Sequence, residues 1–401
     1  MAFGDGNNFM YRFSTRIKDM TGTATREILK LTARPEVISF AGGMPAAERL
    51  PCELIRGIAD ELLGGARARE LLQYGQTEGL NDLRAELVKY LGTIGLKASA
   101  EQLQVLGGGQ KGLDLMCKAF LDKGDVVLVE DPTYLAFLQI VKTYEATAVG
   151  VSADENGLVL GDLEDKLKKH RPKLLYTVPT FSNPTGKTYA AENSKNIIAL
   201  CERYGVVVIE DDPYGRLRYD GEEVPTMKSF DTSGTVVYIS SFSKTVAPSL
   251  RVAFAFGEPS LIRKLSIGKQ CADVQSPALC QAIVAEYLRR GHFYPMLEKS
   301  IAAYRKRKDA FLAALDAYMP DGVRYTRPNG GLFIWAELPK NIDAAAMLPE
   351  AAARNVAYIQ GCEFYADGGG RNTMRLNFSN SDEQRIDSGV KILSELIKSK
   401  L

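Results

Sequence analysis

The run VVYISSFSKTVAPSLRVAFAF, Val236–Phe256, sets one lysine, Lys244, in a polar turn between two apolar segments. Ser241 and Ser243 lie beside it, and Arg251 follows seven residues later. Hydroxyls and a guanidinium can hold a phosphate while a neighbouring amine forms a Schiff base with a carbonyl compound. An isolated lysine in such a place also reads as a solvated loop charge. Asp211, Asp212 and Tyr214 close the apolar run VVVIEDDPY, where acids suit a turn or a helix cap. FSNPTG (181–186) and DPTY (131–134) each follow an apolar run, placing Asn183 in a good turn and Tyr134 beside it in kind. LGGGQKG (106–112) puts Gly109 and Gln110 between a strand and a helix, the position of a phosphate cradle. It lacks the GKS or GKT ending of a Walker loop. TMRLNFS sets Arg375 in a short apolar strand, an unusual place for an arginine.

What is scarce narrows the chemistry further. There are two histidines, His170 and His292, both in contexts that read as helix ends. They exclude a histidine-rich metal cluster, and a Ser-His-Asp triad would need one of these poorly placed rings. No metal is expected, and lysine or a carboxylate must move protons. Six cysteines are scattered without a CxxC pair, which suits a reducing compartment. Lys plus Arg total 50 against 49 Asp plus Glu, a net charge of +1 that argues against nucleic acid or an anionic membrane as partner. No window holds 18 uninterrupted apolar residues, and MAFGDGNNFMYRF does not read as a signal peptide, so a cytoplasmic chain is expected.

These groups need a scaffold. The 401 residues are two to three domains' worth of chain at roughly 150 residues each. Short apolar strands are predicted at Gln102–Leu106, Val126–Glu130, Ala146–Val151, Leu174–Thr177, Val206–Glu210, Val236–Ser240 and Val252–Phe256. Helical segments such as Gly112–Leu121, Gly161–Lys169, Ser194–Tyr204 and Pro259–Lys269 alternate with them. That pattern predicts an α/β fold with a mostly parallel seven-stranded sheet covered on both faces, its ligand at the C-terminal strand ends. From Tyr287 to about Leu315 one long helix is predicted, followed by short strands and a last helix over Asp382–Ser399. The expected organisation is an N-terminal arm (1–50), a large domain (51–290) and a smaller α+β domain (291–401). The boundary falls inside a helix, and a short helix is expected near Thr25–Leu31.

SFSKTVAPSLR resembles the Schiff-base lysine signature of fold-type I pyridoxal-phosphate enzymes, specifically class I/II aminotransferases. The other motifs follow in that family's order over roughly residues 25–395, nearest to the kynurenine and 2-aminoadipate aminotransferases. The resemblance implies pyridoxal 5'-phosphate on Lys244, with Ser241, Ser243, Arg251 and the amides of Gly109 and Gln110 on its phosphate. It implies Asp211 against the ring nitrogen, with Asp212 the alternative one residue away. Asn183 and Tyr214 then serve the ring oxygen, and Tyr134 lies over the ring. Arg375 clamps the substrate α-carboxylate with Asn183, Gly43 of ISFAGGMP lets the backbone approach the substrate, and Tyr74 of LLQYGQTEG reaches a neighbouring subunit's phosphate in a homodimer. Arg26 of TREILKL is a candidate selector of the substrate side chain, or else a solvated helix residue. QGCEF (360–364) and PNGGLFIW (328–335) depart from the family's usual pattern on the specificity side.

The implied reaction is transfer of an amino group from an L-amino acid (aromatic, branched-chain or 2-aminoadipate-like) to a 2-oxo acid, 2-oxoglutarate foremost. The same apparatus serves β-lyases, decarboxylases and racemases, so fold alone does not choose. A non-catalytic sensor module, as in GntR-like regulators, is the competing class. About 40 residues precede SFAGG and show no helix-turn-helix.

Overall fold

The structure, a computed structural model, describes residues 11–18, 20 and 34–401. Thirteen strands are found among them: β1 Ile38–Ser39, β2 Leu103–Leu106, β3 Val126–Asp131, β4 Thr147–Ser152, β5 Leu174–Thr177, β6 Val207–Asp212, β7 Val236–Ser241, β8 Ala253–Phe256, β9 Arg324–Tyr325, β10 Phe333–Glu337, β11 Val356–Ala357, β12 Ile359–Gln360 and β13 Thr373–Asn377.

Seven strands form one sheet in the order β2-β8-β7-β6-β5-β3-β4. β3, β4, β5, β6 and β7 pair in parallel, and β8 is antiparallel to both β2 and β7. β2, β5 and β8 are buried along their whole length, as near-continuous apolar runs require when helices cover both faces. All seven expected strands are present, displaced by no more than a residue or two at their ends. β4 begins one residue late at Thr147, and β6 runs on to include both Asp211 and Asp212. The C-terminal ends of β3, β5, β6 and β7 therefore open on one edge, followed directly by Tyr134, Asn183, Tyr214 and Lys244.

A second, four-stranded sheet has the order β12-β13-β10-β9, all antiparallel, and carries Arg375 in its middle. β1 pairs in parallel with β11, which brings the segment running on to Gly43 alongside this sheet. The helices Phe293–Tyr318 and Glu383–Lys398 lie against each other and bury Phe311, Leu315, Val390 and Leu393.

The helix expected from Tyr287 is two helices, Ala278–Arg289 and Phe293–Tyr318. Gly291 between them has φ of 71°, a left-handed conformation that ends the first helix. Position 290 is thus a helix end, not a helix interior. The apolar spacing runs across the break, which is why periodicity alone joins the two. The helix expected near Thr25–Leu31 lies outside the described residues.

Candidate active site

The strand ends surround a cavity of about 340 Å³. Its wall includes Gly43, Gly109, Gln110, Tyr134, Asn183, Asp211, Tyr214, Ser241, Ser243, Lys244, Arg251 and Arg375. Twelve positions picked from motifs spread over more than three hundred residues thus converge on one hole. Tyr74 does not line it and is 81% exposed. Arg26 lies outside the described residues.

Lys244 follows β7 in a turn, and its Nζ donates to the Gly43 carbonyl at 2.7 Å. Burial, reinforced by the positive charges of Arg375 and Arg251, holds its pKa down at about 8. Gly43 is confined by a ring: a Cβ there would lie 2.6 Å from Phe333 Cζ. With any larger residue there, either the ring or the backbone would have to shift.

Asp211 and Asp212 are neighbours on β6, so their side chains leave opposite faces. Asp211 faces the cavity and accepts from the Tyr176 hydroxyl at 2.8 Å. Burial pushes its pKa up to about 7, against the opposing pull of the Tyr176 hydrogen bond. Asp212 turns away and accepts from Tyr238 Oη at 2.8 Å and the Gly215 amide at 2.7 Å. It caps the turn, and of the two adjacent acids Asp211 is the one that lines this cavity.

Arg375 is 4% exposed. Its Nη1 donates to Asn183 Oδ1 at 2.7 Å and its Nη2 to the Ala41 carbonyl at 2.6 Å. Its Nε is buried with no partner. The guanidinium lies 4.2 Å over the Phe333 ring and 5.0 Å over the Phe364 ring. Burial lowers its pKa to about 10, which leaves it charged at neutral pH. Among the described residues no carboxylate pairs with it, so a fork with spare donors lines the cavity.

At the other end, Gly109 and Gln110 open the Gly109–Phe120 helix, where first-turn amides have no partner within the helix. Gly108 before them has φ of 109°, and a Cβ on it would overlap the Arg251 guanidinium, so only glycine lets loop and arginine meet. A Cβ on Gly109 would lie 4.0 Å from Ser241 Cβ, which brings the serine turn up to the helix start.

The family profile for aminotransferases of class I and II matches residues 37–393. The chain belongs to that family. Aromatic-amino-acid aminotransferase 1 of Thermococcus litoralis is 40% identical over 395 residues, covering 97% of this chain and 94% of the relative. The structure of Pyrococcus horikoshii kynurenine aminotransferase with PMP, kynurenine and its product superposes with a TM-score of 0.93 at 40% identity, covering 97% of each chain. That of Thermus thermophilus α-aminoadipate aminotransferase with N-(5'-phosphopyridoxyl)-L-leucine gives 0.90 at 37% identity, covering 96% of this chain and 97% of the other. The aminotransferase depends on pyridoxal 5'-phosphate, and its cavity suits that group. Helix-start amides, two serines and Arg251 gather at one end, a lone amine and a buried carboxylate lie between, and the orphaned Arg375 Nε waits at the other.

Sequence reasoning passed over the residues that brace the aminotransferase site. Tyr176 lies in an apolar strand and looks like core, yet it is the donor to Asp211. The parallel register of β5 with β6, which pairs Tyr176 with Ile209, places it diagonally across from Asp211 and was the available signal. Glu130 at the end of β3 is 3% exposed and accepts from the Val178 amide, Ser182 Oγ and Tyr189 Oη. One carboxylate thereby ties both ends of the loop that carries Asn183. Phe364, in the departing QGCEF segment, supplies the second ring against Arg375.

Proposed function

We propose that this aminotransferase moves an amino group from an aromatic, branched-chain or 2-aminoadipate-like L-amino acid to a 2-oxo acid, with 2-oxoglutarate as the principal acceptor. The observation that carries the reading is a single cavity in which a depressed-pKa lysine, a buried aspartate and an unneutralised arginine face one another. The donor classes follow from the relatives' activities and from the pyridoxyl-leucine held by the Thermus enzyme.

The proposed roles follow from position. The Gly109 and Gln110 amides, Ser241, Ser243 and Arg251 hold the cofactor phosphate. Asp211 balances a protonated ring nitrogen, Asn183 and Tyr214 donate to the ring oxygen, and Tyr134 packs on the ring. When bound, the cofactor supplies an aldehyde that exchanges between amines and a ring that accepts electrons from the substrate Cα. Arg375 fixes the substrate carboxylate, which aims Cα at the reacting edge. Lys244, released by exchange, moves the proton at Cα, a task within reach of an amine whose pKa lies near 8.

We propose further that two copies assemble, with Tyr74 of each completing the other's phosphate site. Tyr74, Leu72 and Val274 are exposed apolar side chains on neighbouring segments, tied by the Gly75 amide to Gln275 Oε1. A cytoplasmic location accords with six cysteines that are all free. Among the described residues no helix is long and apolar enough to cross a membrane, and no acid, histidine or cysteine cluster could hold a metal. Residues 51–290 and 291–401 are proposed as the cofactor-holding and carboxylate-clamping domains.

A donor panel tests the reading. Phenylalanine, kynurenine, 2-aminoadipate and leucine should each bleach the visible band of the holoenzyme, and 2-oxoglutarate should restore it. Arg26→Ala should cost 2-aminoadipate about tenfold more catalytic efficiency than leucine, the scale of one charged hydrogen bond. Release of carbon dioxide, or of a 2-oxo acid and a leaving group without stored nitrogen, would replace transfer by decarboxylation or β-elimination. Light scattering over a dilution series tests the dimer, and an active monomer rejects it.

A further inference from the structure

Behind the strand that carries Asp211 lies a second cavity of about 460 Å³. Its polar lining includes Asp212, Arg216, Arg218, Glu223, Thr180 and Thr226. Arg216 and Arg218 flank the fully buried Leu217, and both line this cavity.

The polar bookkeeping of this cavity does not balance. Arginine carries five N–H donors and no acceptor. The Arg218 side chain makes no hydrogen bond or ion pair with any described residue, and its buried Nε is an orphan. It lies 4.6 Å over the Phe181 ring, and burial pushes its pKa down. Arg216 Nε and Thr226 Oγ1 are likewise buried without partners. Two acids face the arginines. Asp212 is already bonded to Tyr238 and Gly215. Glu223 is 73% exposed and reaches Arg216 at 3.4 Å, a long contact for an ion pair. Two guanidinium groups with unmade donors thus line a space in which one acid is committed to other partners and the other is mostly exposed.

We infer that this cavity is a second anion site, taking a small doubly charged oxyanion, a dicarboxylate or phosphate, between Arg216 and Arg218. Guanidinium groups match the paired oxygens of such ligands, and a half-buried pair with unmade donors gains the most from them. The site is separate from the clamp at Arg375 and rests on none of the roles proposed for the first cavity. Its walls reach that cavity nonetheless: Phe181 under Arg218 precedes Asn183 by two residues, and Asp212 adjoins Asp211. An anion there bears on both from behind.

Calorimetric titration of the holoenzyme with inorganic phosphate, and separately with succinate, tests the site. Cofactor already fills the phosphate cradle of the first cavity, and an Arg375→Leu background removes the other carboxylate clamp. At least one probe should bind with a dissociation constant of about 1 mM or tighter. Arg216→Gln and Arg218→Gln should each weaken it about tenfold or more, the scale of a lost charged hydrogen bond. Glu223→Gln should tighten it, because it removes the competing carboxylate. If Arg218→Gln fails to fold, the more peripheral Arg216→Gln and Glu223→Gln pair decides. Absence of binding by both probes at 10-fold that concentration overturns the inference. So does binding that vanishes in Arg375→Leu yet survives in Arg216→Gln.

Discussion

Lys244→Ala is expected to lower amino transfer by about ten-thousand-fold or more, since the substitution removes both the amine that anchors the cofactor and the base at Cα. The fold should survive: the side chain's one hydrogen bond is to the Gly43 carbonyl. Borohydride reduction of the wild type followed by peptide mapping should fix the cofactor on Lys244, and label on another lysine would sink the assignment. Uptake of cofactor by apoprotein should accelerate with rising pH and level off above about 8, because only the neutral amine attacks an aldehyde. An ordinary lysine, titrating near 10.4, would have left roughly a hundred-fold less neutral amine at pH 7. Uptake insensitive to pH between 7 and 9 would contradict the depressed pKa.

The second large effect separates two adjacent acids. Asp211→Asn should slow Cα proton removal by roughly a hundred- to a thousand-fold, the scale of one preorganised charge partner. Asp212→Asn should change that rate by less than about tenfold and act on folding instead, since Asp212 holds the Gly215 turn and Tyr238. Stopped-flow half-reactions with phenylalanine read the first effect and thermal melts the second. A larger rate loss at Asp212 would overturn the orientation of β6. Tyr176→Phe should give an intermediate rate loss, because it leaves Asp211 in place but strips its one side-chain donor.

Most residues that gather at the first cavity were legible because they are polar exceptions at the end of an apolar run, and parallel sheets gather such ends on one edge. Seven strands and the convergence of twelve motif residues followed from that rule and from the resemblance together. Tyr176 and Glu130 escaped for the opposite reason. They lie within apolar strands, and their hydrogen bonds, to Asp211 on the next strand for Tyr176 and to the loop around Asn183 for Glu130, join segments that sequence spacing does not reveal as neighbours. Arg216 and Arg218 belong to no motif, and only the folded chain puts both on one cavity. The break at Gly291 was hidden because the apolar spacing continues across it. Asp211 and Asp212 could not be ranked from the chain alone, since an alternation of faces has no sign until one face is known to be the site.

The buried acids gathered at these strand ends also govern when the empty protein melts. Burial raises Glu130 and Glu210 to about 8 and Asp211 to about 7, whereas in the unfolded chain each titrates near 4. Between those limits the native state holds more protons than the unfolded one, so stability declines as pH rises. Their contribution is complete below about pH 4 and is lost by the time pH passes 8. Cofactor-free protein should therefore show a falling melting temperature from pH 6 to pH 8.5 in differential scanning calorimetry. A protonated ring nitrogen against Asp211 removes one of these penalties, so the gap in melting temperature between loaded and empty protein should widen toward alkaline pH. Asp211, the one of these three acids that lines the cavity, thus ties alkaline endurance to the cofactor.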